Sequence, residues 1–185
     1  MVSNMLARTR TLGIRLCTLR ATKGIAEMTE LPTAARRVQE EAERLGLEIS
    51  VTVMPDSTRT AEEAAQACEC TVSQIVKSLI FKGKDSEQAY LFLVSGTNRV
   101  NEKAMAETIG EAIVRPDADF VRKATGFAIG GIPPFGHMVK LPTFLDQDLL
   151  QFGTVWAAAG TPRAVFAVDP GYLRDALVPT VIRFG

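Results

Sequence analysis

Ile75-Val76-Lys77-Ser78-Leu79-Ile80-Phe81-Lys82 is a β-rich run, and beyond the polar loop Gly83-Lys84-Asp85-Ser86-Glu87 comes a second, Ala89-Tyr90-Leu91-Phe92-Leu93-Val94-Ser95. Two such runs joined by a short loop containing Gly and Asp predict a hairpin over 76–82 and 89–95. Toward the N-terminus, Ala34, Val38, Ala42 and Leu45 recur at helical spacing ahead of Gly46, which predicts a helix over 33–45. Glu48 to Met54 alternates as a strand ended by Pro55-Asp56, and Thr60-Ala61-Glu62-Glu63 is a capping box opening a helix to about Cys70.

Toward the C-terminus, Asn101 caps a helix ending at Gly110, Ala112 to Arg115 reads as a short strand, and Asp117 opens a helix ending at Gly126. Strands follow over 154–159 and 164–168, Asp169-Pro170 starts a last short helix, and 178–184 closes as a strand. Strands and helices do not alternate regularly. The expected class is therefore α/β of the α+β type, a mixed, mostly antiparallel sheet with helices packed on it.

With 185 residues, 46% apolar and 23% charged, the chain has the make-up of one globular domain. Apolar runs such as Tyr90 to Val94 fall far short of the roughly 20 residues that span a bilayer, so no membrane association is expected. Lys plus Arg equals Asp plus Glu at 21 each, which excludes a global cationic field and makes any nucleic-acid contact local. Cys17, Cys68 and Cys70 are odd in number and lack CxxC spacing, which argues against a disulfide framework or a zinc ribbon and for a reducing, cytoplasmic setting. Cys68 and Cys70 read as core residues of the second helix.

Residues 1–27 carry Arg8, Arg10, Arg15, Arg20 and Lys23 with no acid before Glu27. Two readings fit: an organelle transit peptide, or a start codon placed too early, with Met28 the true start of a domain over 28–185. In either case the segment is expected outside the fold.

Lys77 interrupts an apolar strand, either because one face of the strand is wet or because the lysine stands on a cleft wall as a fixed cation for a phosphate, carboxylate or ester oxygen. The stretch from Gly126 to His137, GFAIGGIPPFGH, is too rich in Gly and Pro for a regular element and too apolar for a linker. Its glycines allow close approach to the backbone, whose N–H groups can surround an oxyanion; a structural turn is the plainer alternative. G-x-G-x-x-G, the P-loop and G-x-S-x-G are all absent. His137 is the single histidine, so a serine triad would have to use it and a metal site would lack ligands. Arg99, Lys103, Arg122, Lys123 and Lys140 either flank a cleft or are scattered surface cations.

Ile75-Val76-Lys77-Ser78-Leu79, the segment from Gly126 to Gly136, and Ala158-Ala159-Gly160-Thr161-Pro162 together resemble the YbaK/aminoacyl-tRNA deacylase family, which includes the editing insertion domain of bacterial prolyl-tRNA synthetases. The similarity runs from about Thr33 to Phe184. It implies that Lys77 is the functional lysine, that Gly130 to Pro134 is the family's G-x-x-x-P loop, and that Ser78, Gly130, Gly131, Ile132, Pro133, Pro134, Gly136, His137 and Gly160 contact substrate. The implied reaction is hydrolysis of the ester joining a wrong amino acid to the tRNA 3′ end, without cofactor or metal. The implied partners are the tRNA acceptor end and prolyl-tRNA synthetase. Many relatives have Ser where Pro133 stands, and the cysteine-handling branch has an acid near Val165. A small residue such as alanine on tRNA is therefore expected over cysteine. A noncatalytic module of the same fold, binding an aminoacyl or nucleotide ligand, is the alternative.

Overall fold

The structure is a computed structural model that describes residues 31–184; the segment 1–27 lies outside the described residues. Its elements in chain order are α1 (Thr33–Arg44), β1 (Thr52–Val53), α2 (Ala61–Ala67), β2 (Ile75–Gly83), β3 (Ala89–Ser95), α3 (Glu102–Ile109), β4 (Ile113–Val114), α4 (Ala118–Thr125), β5 (Thr143–Asp146), β6 (Val155–Ala158), β7 (Ala164–Val168), α5 (Pro170–Leu177) and β8 (Thr180–Ile182). Short 3-10 turns at Val72–Gln74 and Gln147–Gln151 precede β2 and follow β5.

The helix boundaries follow local chemistry. Thr60 accepts from the Glu63 N–H while the Glu63 carboxylate reaches back to the Thr60 N–H, the reciprocal box its sequence implies. Asn101 and Asp117 cap α3 and α4, which end at Gly110 and Gly126 in the left-handed conformation. No described helix is long and apolar enough to cross a membrane.

The sheet has eight strands in the order β1-β7-β6-β2-β3-β5-β8, with β4 pairing with β2 off that path. β1–β7, β2–β3, β2–β4 and β6–β7 are antiparallel, and β2–β6, β3–β5 and β5–β8 are parallel, so the sheet is mixed with an antiparallel majority. The expected strand over 48–54 shrinks to two residues because the Gln39 side chain takes the Ile49 carbonyl and the Val51 N–H for itself. The expected closing strand narrows likewise to Thr180–Ile182. β5, four residues with no polar alternation, had no signature of its own.

One face of the sheet carries Val76, Ile80, Leu91, Leu93 and Phe166, covered by Ala35, Val38 and Ala42 of α1. The other carries Phe81, Tyr90, Phe92 and Phe144 against Met105 of α3. Phe92 stacks on Phe144 and meets Phe81 edge-on, both at 5.1 Å between ring centroids.

Candidate functional site

β2 organises the site through a gap in its pairing. β3 pairs with it from Val76 to Lys82, but on the opposite edge β6 reaches only Ile75 and Val76 and β4 only Lys82 and Gly83. Gly83 donates to the Gln88 carbonyl. By the antiparallel alternation, the odd residues of β2 therefore exchange hydrogen bonds with β3, and Ser78 and Ile80 turn their N–H and C=O groups toward the unpaired edge. A cavity of about 590 Å³ opens along this notch.

Lys77, Ser78, Gly130 and Ile132 line that cavity together, joined by Arg59, Asn98, Arg99, Arg115, Trp156 and Val165 among others. The Lys77 ammonium donates to the Gly96 carbonyl at 2.9 Å and to the Asn98 carbonyl, which leaves one of its three N–H bonds free. Burial pulls the Lys77 pKa below the ordinary lysine value; Arg99 adds to this, while Glu62 and Asp146 oppose it. No carboxylate pairs with the ammonium among the described residues.

The loop that receives Lys77 rests on a buried carboxylate. Asp146, at the end of β5, accepts from the Ser95 N–H at 3.0 Å, the Asn98 side-chain amide at 2.9 Å and the Asp148 N–H at 3.1 Å. The Asn98 amide also reaches Asp148 at 2.9 Å. One side chain of Asn98 thus ties its segment to two acids while its carbonyl holds Lys77.

On the facing wall, Gly130 sits at φ +90°, a conformation that favours glycine. The Gly131 N–H is already committed to the Ala128 carbonyl at 3.1 Å, and Pro133 and Pro134 have no N–H to give. The N–H groups of Gly130 and Ile132 take no acceptor among the described residues. They are the loop's candidate oxyanion donors on the cavity wall.

The other residues proposed from sequence stand elsewhere. Gly131, Pro133, Pro134, Gly136, His137 and Gly160 are not among the cavity's lining. A side chain at Gly131 would meet the Thr161 backbone at 2.7 Å, and one at Gly160 the Ala34 carbonyl at 2.7 Å; both glycines exist for close packing. The Gly136 carbonyl accepts from Arg37 of α1, whose guanidinium also bonds the Thr125 carbonyl at 3.0 Å and lies over the Phe127 ring. His137 donates from Nε2 to the Pro133 carbonyl at 2.8 Å, and burial pulls its pKa down to about 4. These residues clamp the loop from behind, and no histidine base lines the cavity beside Ser78. The Ser78 hydroxyl is buried and has no hydrogen-bond partner among the described residues.

Cys68 and Cys70 are half-buried at the end of α2 rather than core residues of it, and burial pushes the Cys68 thiol up to about 11 and Cys70 upward as well. Such thiols are poor nucleophiles at neutral pH. Of the five cations flagged from sequence only Arg99 lines the cavity, whereas Arg59 and Arg115, which do, had no distinguishing signal beside a helix cap and a short strand.

Residues 55–176 match the family model for the aminoacyl-tRNA editing domain. The chain belongs to that family. The uncharacterized protein YwhH of Bacillus subtilis is 31% identical over 128 residues, covering 69% of this chain and 81% of YwhH. Proline–tRNA ligase of Thermoanaerobacter sp. (strain X514) is 31% identical over 102 residues, 54% of this chain but 18% of the ligase, so the likeness is to one segment of that enzyme. Among solved structures, a candidate trans-editing enzyme for prolyl tRNA synthetase superposes at a TM-score of 0.78 with 47% identity, covering 83% of this chain and 97% of the other.

Proposed function

We propose that this chain is a trans-editing hydrolase that removes a small, wrongly attached amino acid from tRNA charged by prolyl-tRNA synthetase. One observation carries the reading: Lys77, Gly130 and Ile132 line the same cavity, and the N–H groups of the two loop residues have no acceptor among the described residues. Water adds to the ester carbonyl carbon, and the carbonyl electron pair moves to oxygen, where the loop N–H groups receive the oxyanion. Collapse breaks the bond to the ribose oxygen, which takes the proton lost by the water. The products are free amino acid and tRNA. The remaining N–H bond of Lys77 orients the ester, and its fixed charge favours the developing negative oxygen.

Val165, Ala157, Ala158 and Val76 make part of the cavity wall small and apolar, with no carboxylate at the place where the cysteine-handling branch has one. That wall suits an alanine-sized side chain. Editing of this kind acts as a second sieve, since a synthetase pocket rejects a side chain one methylene smaller by only about 1–3 kcal/mol.

The test is a deacylation panel of tRNA-Pro charged with alanine, serine, cysteine or proline. Alanine should leave fastest and proline should stay. Binding of these tRNAs with no release of any amino acid would sink the hydrolase and support a noncatalytic module.

A further inference from the structure

In a chain with 21 cationic and 21 acidic side chains, the cavity is lined by Arg59, Lys77, Arg99 and Arg115 and by no Asp or Glu. Such an imbalance inside a concave site focuses a positive local field on a neutral protein. Lys77 is half-buried and tied to two carbonyls, whereas the three arginines are exposed. Arg59 lays its stem across the glycine loop, its Cγ 3.3 Å from where a Cβ on Gly130 would stand. Arg99 is the first of the charges acting on Lys77. Arg115 comes from the far side, over the Phe81 ring at 5.9 Å, and its one carboxylate contact among the described residues is an exposed pair with Glu102 at 3.2 Å.

Neighbouring acids offset this field only in part, Glu62 and Asp146 at Lys77 and Glu102 at Arg115, and none of the three lines the cavity. Arg59 and Arg99 have no ion-pair partner among the described residues. The Glu63 carboxylate is occupied by the N–H groups of Arg59 and Thr60. Glu62, which acts on Lys77 from α2, is not part of the lining. Trp156, half-exposed on the same wall, offers an aromatic face on which a base can stack.

We propose that Arg59, Arg99 and Arg115 form a phosphate-gripping rim for the single-stranded 3′ end of an RNA, holding its phosphodiesters while the terminal ester reaches Lys77 and Gly130. Arginine suits this task because its planar fork binds two phosphate oxygens at once. Three cations set around a hole, rather than along a flat stripe, fit a strand that threads inward and not a duplex. The inference rests on the deacylase reading for its substrate, but its binding step can be tested without catalysis.

The experiment titrates a 5′-labelled CCA trinucleotide with a free 3′ hydroxyl against the full chain at several salt concentrations. Wild type should show an affinity that falls with salt, with a logarithmic slope of about −1.4 for the trinucleotide's two phosphodiesters at roughly −0.7 each. Arg59→Gln, Arg99→Gln and Arg115→Gln should each flatten the slope and weaken binding several-fold, and the triple variant, checked for an unchanged melting temperature, should lose most of both. In deacylation, the triple variant should raise KM for charged tRNA far more than it lowers kcat. Its loss on tRNA should exceed its loss on 3′-aminoacyl adenosine, which has no phosphodiester, by about tenfold or more. Equal losses on the two substrates, an unchanged salt slope, or displacement of the trinucleotide by an equal concentration of inorganic phosphate would each overturn the rim. A chain that binds the trinucleotide through these arginines yet releases no amino acid from any tRNA would keep the rim and overturn the deacylase.

Discussion

Lys77 and Lys82 stand five residues apart on one strand and have opposite surroundings. Lys82 donates to the Glu87 carboxylate at 2.8 Å and lies 5.5 Å from the centre of the Phe120 ring, so its charge is answered within the protein. Lys77 meets only carbonyl oxygens, which fix its position without neutralising it. The strand pairing explains the difference. At Lys82 the edge of β2 is closed by β4, while at Lys77 it opens onto the cavity. A cation held by dipoles at an unpaired strand edge is available to an incoming anion or ester; a cation paired with a carboxylate is not.

The strongest challenge to that comparison is Lys77→Ala. It removes the charge proposed to orient the ester, and kcat/KM for deacylation should fall about 100-fold or more, on the scale of losing a key electrostatic group. Lys77→Arg should not restore it, because a forked guanidinium cannot take the place of a compact ammonium between two carbonyls. A folded Lys77→Ala protein with near-normal turnover would remove Lys77 from the mechanism. Gly130→Ala comes next. It puts a side chain on a residue at φ +90° with the Arg59 stem already at 3.3 Å, and the resulting shift of the loop should cost about tenfold to a hundredfold in kcat, the scale of a misplaced catalytic group.

Why some of this was legible and some was not follows from what each residue answers to. Lys77 stood out because a charge broke an apolar strand, and Gly130 because the 126–137 stretch fits no regular element. Local sequence cannot separate a glycine that admits a substrate from one that admits another piece of backbone. Gly131 and Gly160 therefore looked like Gly130, although their glycine character answers to Thr161 and Ala34, more than 25 positions away in each case. Asp146 was invisible for a related reason. Its strand is short and has parallel neighbours on both sides, so no hairpin signal marks it, and its partners Ser95 and Asn98 belong to a distant turn.

His137 belongs to the clamp behind the loop, and its signature should be stability rather than chemistry. Its pKa is about 4 in the folded protein against 6.5 unperturbed, so the unfolded chain binds the proton first. Stability from this group is full above about pH 6.5 and is lost as pH falls toward 4, by at most about 3 kcal/mol at 1.36 kcal/mol per pH unit. Denaturant melts between pH 7 and 4 should show this slope in wild type and a flatter one in His137→Gln. Loss of turnover in His137→Gln at pH 7, with folding intact, would instead make His137 a base.

Asp146→Asn probes the support under Lys77. An amide in place of the carboxylate turns one acceptor oxygen into a donor, which faces either both the Ser95 N–H and the Asn98 amide or the Asp148 N–H and loosens the segment that holds the ammonium. Turnover should fall about tenfold with KM little changed. Because the Asp146 charge favours the protonated lysine, its removal should also move the alkaline loss of activity to lower pH. An unmoved alkaline limb together with a normal kcat would detach Asp146 from the site.

The smallest expected effect is also the control that gives the comparison its meaning. Lys82→Ala deletes a lysine from the same strand, of the same charge and reach, but one already paired with Glu87 on an exposed face. Exposed pairs of this kind contribute little to stability, so the melting temperature should stay within a degree or two. Deacylation should stay within about twofold of wild type, since no part of Lys82 lines the cavity. If Lys82→Ala lost as much activity as Lys77→Ala, proximity to the open edge would no longer distinguish the two lysines. The effect of Lys77 would then have to be assigned to the strand's net charge, and a charge-neutral double variant, Lys82→Ala with Glu87→Ala, would decide between those causes by restoring activity only if net charge were responsible.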